Sequence, residues 1–227
     1  MLRGCPIPDA EILGNLALFL NRSSLSQVLF LEYLYREILP IHGVILEFGV
    51  RWGRNLATLI TLRTLLEPYN FCRQIVGFDA FEGFPSVSDV DGKDPVIAPK
   101  SLCVSRGYED YLNALLESHE ALGVRSHVKR FELCKGDAAA TVPGYFSDHP
   151  ESVVALAYFD FDLYTPTLKC LEIITPFLTK GSIIAFDEAC HPAFPGETVA
   201  LHEAGILQCC SLQRLTYSGF GCHARVE

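Results

Sequence analysis

Apolar residues along the chain occur first at helical spacing and then in short runs of the kind that form buried strands. Between residues 9 and 40 they recur every three or four positions, and Asn21-Arg22-Ser23-Ser24 divides this stretch into two predicted helices. After Gly43, short apolar runs alternate with helical patterns, which is typical of a parallel α/β sheet. The predicted strands are 44–48, 74–78, 128–134, 153–159 and 182–186, and the predicted helices are 55–66, 108–122, 138–146, 167–178 and 197–207.

The pattern changes near the end of the chain. Residues 212–217 and 220–226 lie on either side of Ser218-Gly219, a two-residue turn signal that predicts an antiparallel hairpin. We therefore expect a Rossmann-like α/β fold with a mostly parallel seven-stranded sheet that ends in this hairpin. Residues 1–42 are predicted to form an N-terminal helical cap and residues 43–227 the main domain. Residues 86–106, rich in Pro, Asp, Ser and Gly, are predicted to be a lid.

Composition narrows the choice of partners. The chain has 227 residues, 49% of them hydrophobic, a net charge of -9 and no run of Lys or Arg, which argues against nucleic acid or an anionic membrane as main partner. No apolar stretch has the length of a membrane span, and the first residues lack a signal-peptide pattern, so we expect a cytoplasmic protein. The nine cysteines are odd in number and form no C-x-x-C pair, which favours reduced thiols over disulfides or a zinc site.

Two of the predicted buried strands end in paired acids. Asp160 and Asp162 follow strand 153–159, and Asp187 and Glu188 follow strand 182–186. Unpaired buried charge is costly, and the carboxyl ends of parallel strands form the ligand crevice of an open α/β sheet. The four carboxylates therefore indicate a divalent metal or a general base beside one. The alternative is that Asp160 and Asp162 cap the next helix and pair with Lys169 or with arginines.

The first three strands end in features that suit a nucleoside. Gly49 and Gly53 follow the first strand and allow a ligand to approach the backbone closely, but their spacing is not G-x-G-x-x-G, which disfavours a dinucleotide. Asp79 follows the second strand and is placed to accept hydrogen bonds from ribose hydroxyls. Asp137 follows the third strand and is placed to contact the nucleobase of a nucleoside. The alternative for Asp79 and Asp137 is helix N-capping.

The residues at these strand ends resemble the macrocin O-methyltransferase family, whose members use S-adenosylmethionine to methylate sugar hydroxyls of antibiotics. The resemblance extends from about Val44 to Val226 and implies the class I methyltransferase fold. The matching runs are Glu47-Phe48-Gly49-Val50, Gly77-Phe78-Asp79-Ala80-Phe81-Glu82-Gly83-Phe84-Pro85, Lys135-Gly136-Asp137, Asp160-Phe161-Asp162-Leu163-Tyr164 and Phe186-Asp187-Glu188.

The resemblance also implies a role for each matching residue. The family often has two aspartates where this chain has Asp187-Glu188, so Glu188 is where the chain departs from the pattern. The implied roles are Glu47 and Gly49 at the methionine end of S-adenosylmethionine, Asp79 at its ribose, Phe81 and Glu82 in the neighbouring wall, Gly136 and Asp137 at the adenine edge, Asp160, Asp187 and Glu188 as Mg²⁺ ligands, and Asp162 as general base.

We therefore expect an S-adenosylmethionine- and Mg²⁺-dependent O-methyltransferase that acts on a hydroxyl of a sugar or glycosylated small molecule. Two alternatives remain: a non-catalytic S-adenosylmethionine-binding protein, and an NAD-type oxidoreductase. His191 is expected to be a solvated loop histidine, with an additional ligand or base as its alternative. The apolar faces of the N-terminal helices suggest a homodimer.

Overall fold

The computed structural model describes residues 4–124 and 126–227, so the first three residues of the predicted cap lie outside it. Within this part of the chain, the sheet has seven strands in the order β3-β2-β1-β4-β5-β7-β6. The first five strands are parallel, and β7 runs antiparallel to both β5 and β6. This confirms the predicted mostly parallel sheet with a terminal hairpin. The strands are β1 (Val44–Phe48), β2 (Ile75–Asp79), β3 (Phe131–Lys135), β4 (Val154–Phe159), β5 (Leu178–Phe186), β6 (Leu212–Arg214) and β7 (Cys222–Arg225).

Helices cover both faces of the sheet. Every residue of β1 and β4 is buried, as expected for central strands of a sheet with two covered faces. Two apolar clusters form the core, one under α2, α3 and α4 and the other under α5, α6, α7 and α8. The helices are α1 (Asp9–Ile12), α2 (Arg22–Glu37), α3 (Arg54–Leu66), α4 (Tyr108–Ala121), α5 (Ala138–Asp148), α6 (Tyr164–Ile174), α7 (Gly196–Glu203) and α8 (Ile206–Cys209), with 3₁₀ turns at Leu13–Phe19, Asp89–Asp91 and Thr175–Phe177.

A row of four phenylalanines crosses the sheet and aligns the strand ends. Phe48 stacks on Phe78 with a ring-centroid distance of 5.4 Å and on Phe159 at 4.5 Å, and Phe159 stacks on Phe186 at 5.1 Å. All four side chains are fully buried, and each stacked pair adds roughly 0.5–1.5 kcal/mol to the free energy of apolar burial. Since the pairs are in register, the residues that follow them lie side by side. Those residues are Asp79, Gly49, Asp160 and Asp187.

The terminal hairpin differs from its prediction. Its strands are separated by seven residues, 215–221, whereas Ser218-Gly219 was expected to form a two-residue turn. Ser218 is buried, and its Oγ contacts the carbonyls of Leu215 and Gly221 at 3.1 and 2.8 Å. The loop is also held by α2, where Ser26 donates to the Tyr217 carbonyl at 2.7 Å, so the hairpin needs no tight turn.

The N-terminal segment has two parts with different packing. Leu13, Leu16 and Leu18 in and around the first 3₁₀ turn are exposed. In α2, by contrast, Phe30 and Leu34 are fully buried in the same cluster as β1 and β4. Helix α2 is therefore built into the core, and the domain boundary at residue 42 stays a prediction.

A group of buried arginines closes the amino end of the sheet. Arg63 on α3 pairs with Glu120 on α4, and Arg130 Nε lies 3.7 Å from Glu120 Oε2. All three residues are less than 5% exposed, so Glu120 neutralises positive charge where water cannot. Within the described part of the chain every helix is too short or too polar to span a bilayer. All nine cysteines are free thiols.

Candidate active site

A cavity of about 520 Å³ opens at the carboxyl ends of the parallel strands. It is the crevice expected for an open α/β sheet. The glycine turn after β1, the acids after β2 and β3, and both acid pairs all contribute to its wall. The predicted site residues that line it are Gly49, Asp79, Gly136, Asp137, Asp160, Asp162, Asp187 and Glu188.

Three predicted site residues do not line this cavity. Phe81 and Glu82 instead line a neighbouring cavity on the other side of the 80–85 turn. Glu47 is 1% exposed, and neither of its carboxylate oxygens has a hydrogen-bond partner in the structure. Burial raises the pKa of Glu47 well above its ordinary value, with Asn55 opposing the rise. Glu47 thus offers an unsatisfied buried carboxylate, a feature that needs an explanation.

The turn after β1 requires glycine. Gly49 has φ +93°, and a Cβ placed on it would lie 2.1 Å from the carbonyl oxygen of Asp160. Any side chain would therefore push the ends of β1 and β4 apart. The Gly49 amide bonds the Phe78 carbonyl at 3.0 Å, which holds the turn against β2.

Asp79 and Asp137 are both fixed by backbone amides. Asp79 accepts hydrogen bonds from the amides of Arg51 at 2.7 Å and Phe81 at 2.6 Å. It joins the β1 and β2 turns and caps no helix in the described chain, so the capping alternative for Asp79 is wrong. Asp137 does cap α5, because its Oδ1 accepts from the Ala139 amide at 3.0 Å, and it also lines the cavity.

The acids after β4 and β5 are held by neutral donors. Tyr158 Oη donates to Asp187 Oδ1 at 2.6 Å, and Asn55 Nδ2 donates to Asp160 Oδ2 at 3.4 Å. Burial and the charge of Asp187 raise the pKa of Asp160 well above its usual range. In the described structure neither Asp160 nor Asp162 forms an ion pair. Helix α6 begins at Tyr164, and its N-cap residue, Leu163, makes no side-chain hydrogen bond. The helix-capping and ion-pairing alternative for Asp160 and Asp162 is therefore not seen.

Asp162 occupies a strained, buried position. Its φ is +60°, and its amide approaches Glu197 Oε1 at 3.4 Å, beside the Phe161 amide at 3.2 Å. Burial raises the pKa of Asp162 to about 7, with further contributions from Glu188 and Asp187 that Arg51 and His191 oppose. The result is a carboxyl group that can exchange a proton near neutral pH.

The cavity carries a surplus of negative charge. Six carboxylates line it, against two guanidinium groups, those of Arg51 and Arg54. Burial opposes ionisation of Asp160 and Asp162 and raises the pKa of both, so a cationic ligand, which favours their ionised forms, would be favoured in this cavity. Trp52 also lines the cavity, 44% exposed, with its ring edge-on to Tyr108 at 4.7 Å.

The predicted lid is irregular, as expected, but it is anchored at both ends. Buried Asp91 accepts hydrogen bonds from the Ser88 amide at 2.6 Å and from the first amide of α6, that of Tyr164, at 2.6 Å. Near the other end, Phe84 and residues 100–101 exchange backbone hydrogen bonds of 2.8 and 3.1 Å. Between these anchors Val96 faces the cavity.

Comparison with known proteins decides the family. No family model matches the chain. A crystal structure of CalS11, a calicheamicin methyltransferase, superposes with a TM-score of 0.96 at 45% sequence identity, covering 99% of this chain and 88% of that one. An apo structure of CalS11, described as a TDP-rhamnose 3'-O-methyltransferase, superposes with a TM-score of 0.86 at 42% identity, covering 99% and 89%. The chain belongs to the sugar O-methyltransferase family.

A curated relative within this sugar O-methyltransferase family is more distant. The mycinamicin III 3''-O-methyltransferase of Micromonospora griseorubida is 28% identical over 158 residues, which are 67% of this chain and 58% of that protein. The chain thus matches little more than half the length of this curated relative. The strand order and the antiparallel hairpin are those of the class I methyltransferase fold.

Magnesium, which the macrocin resemblance implies, can be tested against the side chains of this family member. Asp160, Asp187 and Glu188 supply the carboxylate oxygens that Mg²⁺ prefers, and Glu188 Oε2 is buried without a partner. Among residues 4–124 and 126–227, however, no three acidic, His or Cys side chains converge closely enough to enclose a metal ion. The oxygen donors and the excess of acidic side chains in the wall fit Mg²⁺, whereas the side chains of the three acids are not close enough to one another to enclose it.

His191 lies near the site without lining the cavity. Its Nδ1 accepts a hydrogen bond from the Ala193 amide at 3.1 Å, and its ring packs edge-on against Phe220 at 3.9 Å. His191 is a half-buried loop residue, and its alternative role as an additional ligand or base stays a prediction.

Several residues of the site were missed from the sequence. Glu197 supports the Asp162 turn, Asp91 anchors the lid to α6, and Tyr158 and Asn55 hold the acids. None of them belongs to a short motif with the group it serves. Asp91 lies in a polar stretch and Glu197 at the start of a helix, so their sequence surroundings marked neither residue.

Proposed function

We propose that this protein transfers a methyl group from S-adenosylmethionine to a hydroxyl of a sugar or glycosylated small molecule, with Mg²⁺ as cofactor. The observation that carries the proposal is a single cavity in which a nucleoside-type half, at Gly49, Asp79 and Asp137, adjoins the acids after β4 and β5. Membership of the sugar O-methyltransferase family supports the reaction type. A macrocin-type subfamily is the finer assignment that we propose on the motif resemblance.

The first half of the cavity suits S-adenosylmethionine. Asp79 is oriented by two backbone amides and keeps lone pairs for the ribose hydroxyls. Asp137 and Gly136 line the cavity where the adenine would lie. Glu47 does not line the cavity, but its buried carboxylate lacks a hydrogen-bond partner, and we assign it to the ammonium group of the methionine end, as the family resemblance implies. Phe81 and Glu82, which line the neighbouring cavity, follow Asp79 in the turn after β2 and form the adjoining wall in this proposal.

The second half suits deprotonation of an alcohol. A general base works best when its pKa lies near the operating pH, and the pKa of Asp162 is about 7. We assign to Asp162 the removal of the hydroxyl proton. Bound S-adenosylmethionine would supply the methyl group, and its transfer to the deprotonated hydroxyl oxygen, with cleavage of the carbon–sulfur bond, would leave S-adenosylhomocysteine and a methyl ether.

Asp160, Asp187 and Glu188 are the residues that would hold Mg²⁺. A bound Mg²⁺ lowers the pKa of a hydroxyl that binds to it and fixes that hydroxyl in place. The support is the excess of carboxylates in the wall and the unpartnered oxygen of Glu188.

The acceptor class follows from the relatives. One is described as a TDP-rhamnose 3'-O-methyltransferase and another as a mycinamicin III 3''-O-methyltransferase. We infer a deoxysugar acceptor, carried either on a nucleotide or on an aglycone. Val96 of the lid and Phe194 add apolar surface to the wall and suit a sugar with few hydroxyls.

The test combines calorimetric titration of S-adenosylmethionine with a methyl-transfer assay that uses TDP-rhamnose and a panel of deoxysugar glycosides. We expect Asp162→Asn to lower kcat by about 10²–10⁴ with little change in cofactor affinity, and the exposed Asp148→Asn to have no effect. Absence of cofactor binding would refute the proposal. Cofactor binding without transfer to any acceptor would favour a non-catalytic binding protein. Transfer that resists both EDTA and Asp160→Asn would exclude the role of Mg²⁺.

A further inference from the structure

A glutamine of the N-terminal segment contacts the groups that hold the acids. Gln27 lies on α2, near its first turn, and is partly buried. Its Nε2 is 2.7 Å from Tyr158 Oη and 3.4 Å from Asn55 Oδ1. Tyr158 and Asn55 are less than 4% exposed, so these contacts lie in the interior.

Each of the two partners continues to one acid. Tyr158 Oη donates to Asp187 Oδ1 at 2.6 Å, and Asn55 Nδ2 donates to Asp160 Oδ2 at 3.4 Å. The side chain of Gln27 therefore stands at the branch point of two hydrogen-bonded chains that end on the acids after β4 and β5.

The direction of donation is consistent throughout. An ionised carboxylate only accepts hydrogen bonds, so the tyrosine hydroxyl and the asparagine amide must donate to it. The Tyr158 hydroxyl oxygen can then accept a hydrogen bond, and Asn55 Oδ1 accepts one from Arg54 Nε at 3.3 Å besides the one from Gln27. The side-chain amide of Gln27 has two protons to give. The Tyr158 branch has short hydrogen bonds and the Asn55 branch long ones, so the first carries most of the effect.

We propose that Gln27 is a positioning residue, which fixes the orientation of the Asp187 carboxylate through Tyr158 and, more weakly, that of Asp160 through Asn55. The proposal rests on the proposed function, in which both acids hold the cation. It makes α2 part of the active site. Groups that hydrogen-bond a metal ligand directly typically change metal affinity 10–100-fold when replaced. Gln27 acts one hydrogen bond further out, through Tyr158 and Asn55.

The test measures the affinity of Mn²⁺, a paramagnetic substitute for Mg²⁺, by electron paramagnetic resonance. Gln27→Glu keeps the shape of the side chain but removes both donated protons, and Gln27→Met removes all polarity. We expect both to weaken Mn²⁺ binding by about 10-fold, the lower end of the range for groups bonded directly to a ligand. Ser26→Ala is the matched control: it removes a hydrogen bond of 2.7 Å to the Tyr217 carbonyl, on the same helix, and leaves the acids untouched. Unchanged Mn²⁺ affinity in both Gln27 variants would overturn the proposal.

A second measurement needs no metal. Gln27→Met and Asp187→Asn are combined in a double-mutant cycle of melting temperatures, once with Tyr158 present and once in a Tyr158→Phe background. We expect shifts that do not add when Tyr158 is present and that add when its hydroxyl is gone. Additive shifts in both backgrounds would overturn the proposal. If the wild type binds no Mn²⁺, the magnesium part of the proposed function fails, and this cycle decides the role of Gln27 by itself.

Discussion

Replacing Asp162 by asparagine should stabilise the ligand-free protein at neutral pH. Asp162 is 8% exposed and surrounded by like charges, and its pKa rises from 3.8 to about 7. Its positive φ of +60° is tolerated by asparagine better than by most residues, so the substitution removes charge without adding backbone strain. The perturbation is therefore mainly electrostatic.

The sign and size follow from proton linkage. Between pH 4 and pH 7 the folded protein holds a proton on Asp162 that the unfolded chain has released, so the free energy of unfolding falls as pH rises. A shift of about three pKa units corresponds to roughly 4 kcal/mol at pH 8 as an upper limit. We take half of this limit, about 2 kcal/mol, as the expected effect, which for a chain of this size shifts the melting temperature by about 4–8 °C.

The assay is thermal unfolding of the metal-free protein at pH 5 and pH 8, for wild type, Asp162→Asn and Asp148→Asn. We expect the stabilisation by Asp162→Asn to be several degrees larger at pH 8 than at pH 5, and Mg²⁺ to stabilise the wild type more at pH 8. Asp148 is exposed at the end of α5, so its variant controls for loss of one negative charge. Equal shifts for both variants at both pH values would refute the assignment of a crowded, buried carboxyl.

Two further predictions concern the frame of the site. Gly49→Ala should destabilise the protein by at least about 2 kcal/mol and abolish S-adenosylmethionine binding, because its Cβ would lie 2.1 Å from the Asp160 carbonyl oxygen. Gly144→Ala is the control: the position is open and lies in the middle of α5, so the change should be neutral or stabilising by up to about 1 kcal/mol. Equal changes in melting temperature and in cofactor affinity for the two glycine variants, measured by calorimetry, would contradict the need for glycine at position 49. Glu120→Leu should cost about 3–5 kcal/mol in urea unfolding, because it removes the carboxylate that pairs with the buried guanidinium group of Arg63. Glu117→Gln, which breaks an exposed pair on the same helix, should cost less than about 1 kcal/mol. A small loss in the Glu120 variant would mean that water reaches this cluster.

The parts of the fold that depend on local pattern were predicted well. Central strands β1 and β4 are continuous apolar runs and were predicted to within one residue. The start of α6 was placed at residue 167 but lies at Tyr164, because Asp91, far away in sequence, accepts the hydrogen bond of its first amide. The prediction of a two-residue hairpin turn was wrong, because the buried Ser218 hydroxyl bonds a backbone carbonyl within a longer loop.

The site shows the same division. The acids that follow strands could be found because charge after a buried apolar run has no structural use. The groups that orient them could not, since Gln27 and Tyr158 are 131 residues apart and each is an ordinary residue of its own element. Such pairs become visible only when the sheet has brought α2 over β4.

Both ends of residues 86–106, the segment predicted to be a lid, are anchored, and this bears on the acceptor range that we propose. Asp91 at one end, and the Phe84 pair with residues 100–101 at the other, fix where the segment leaves and rejoins the body. The entropy of closing a loop depends only weakly on its length, so residues 93–99 can be exchanged or lengthened at a cost of about 1 kcal/mol. On the proposed function, changing residues 93–99 would alter which acceptors bind, while the residues that line the cofactor half of the cavity stay unchanged.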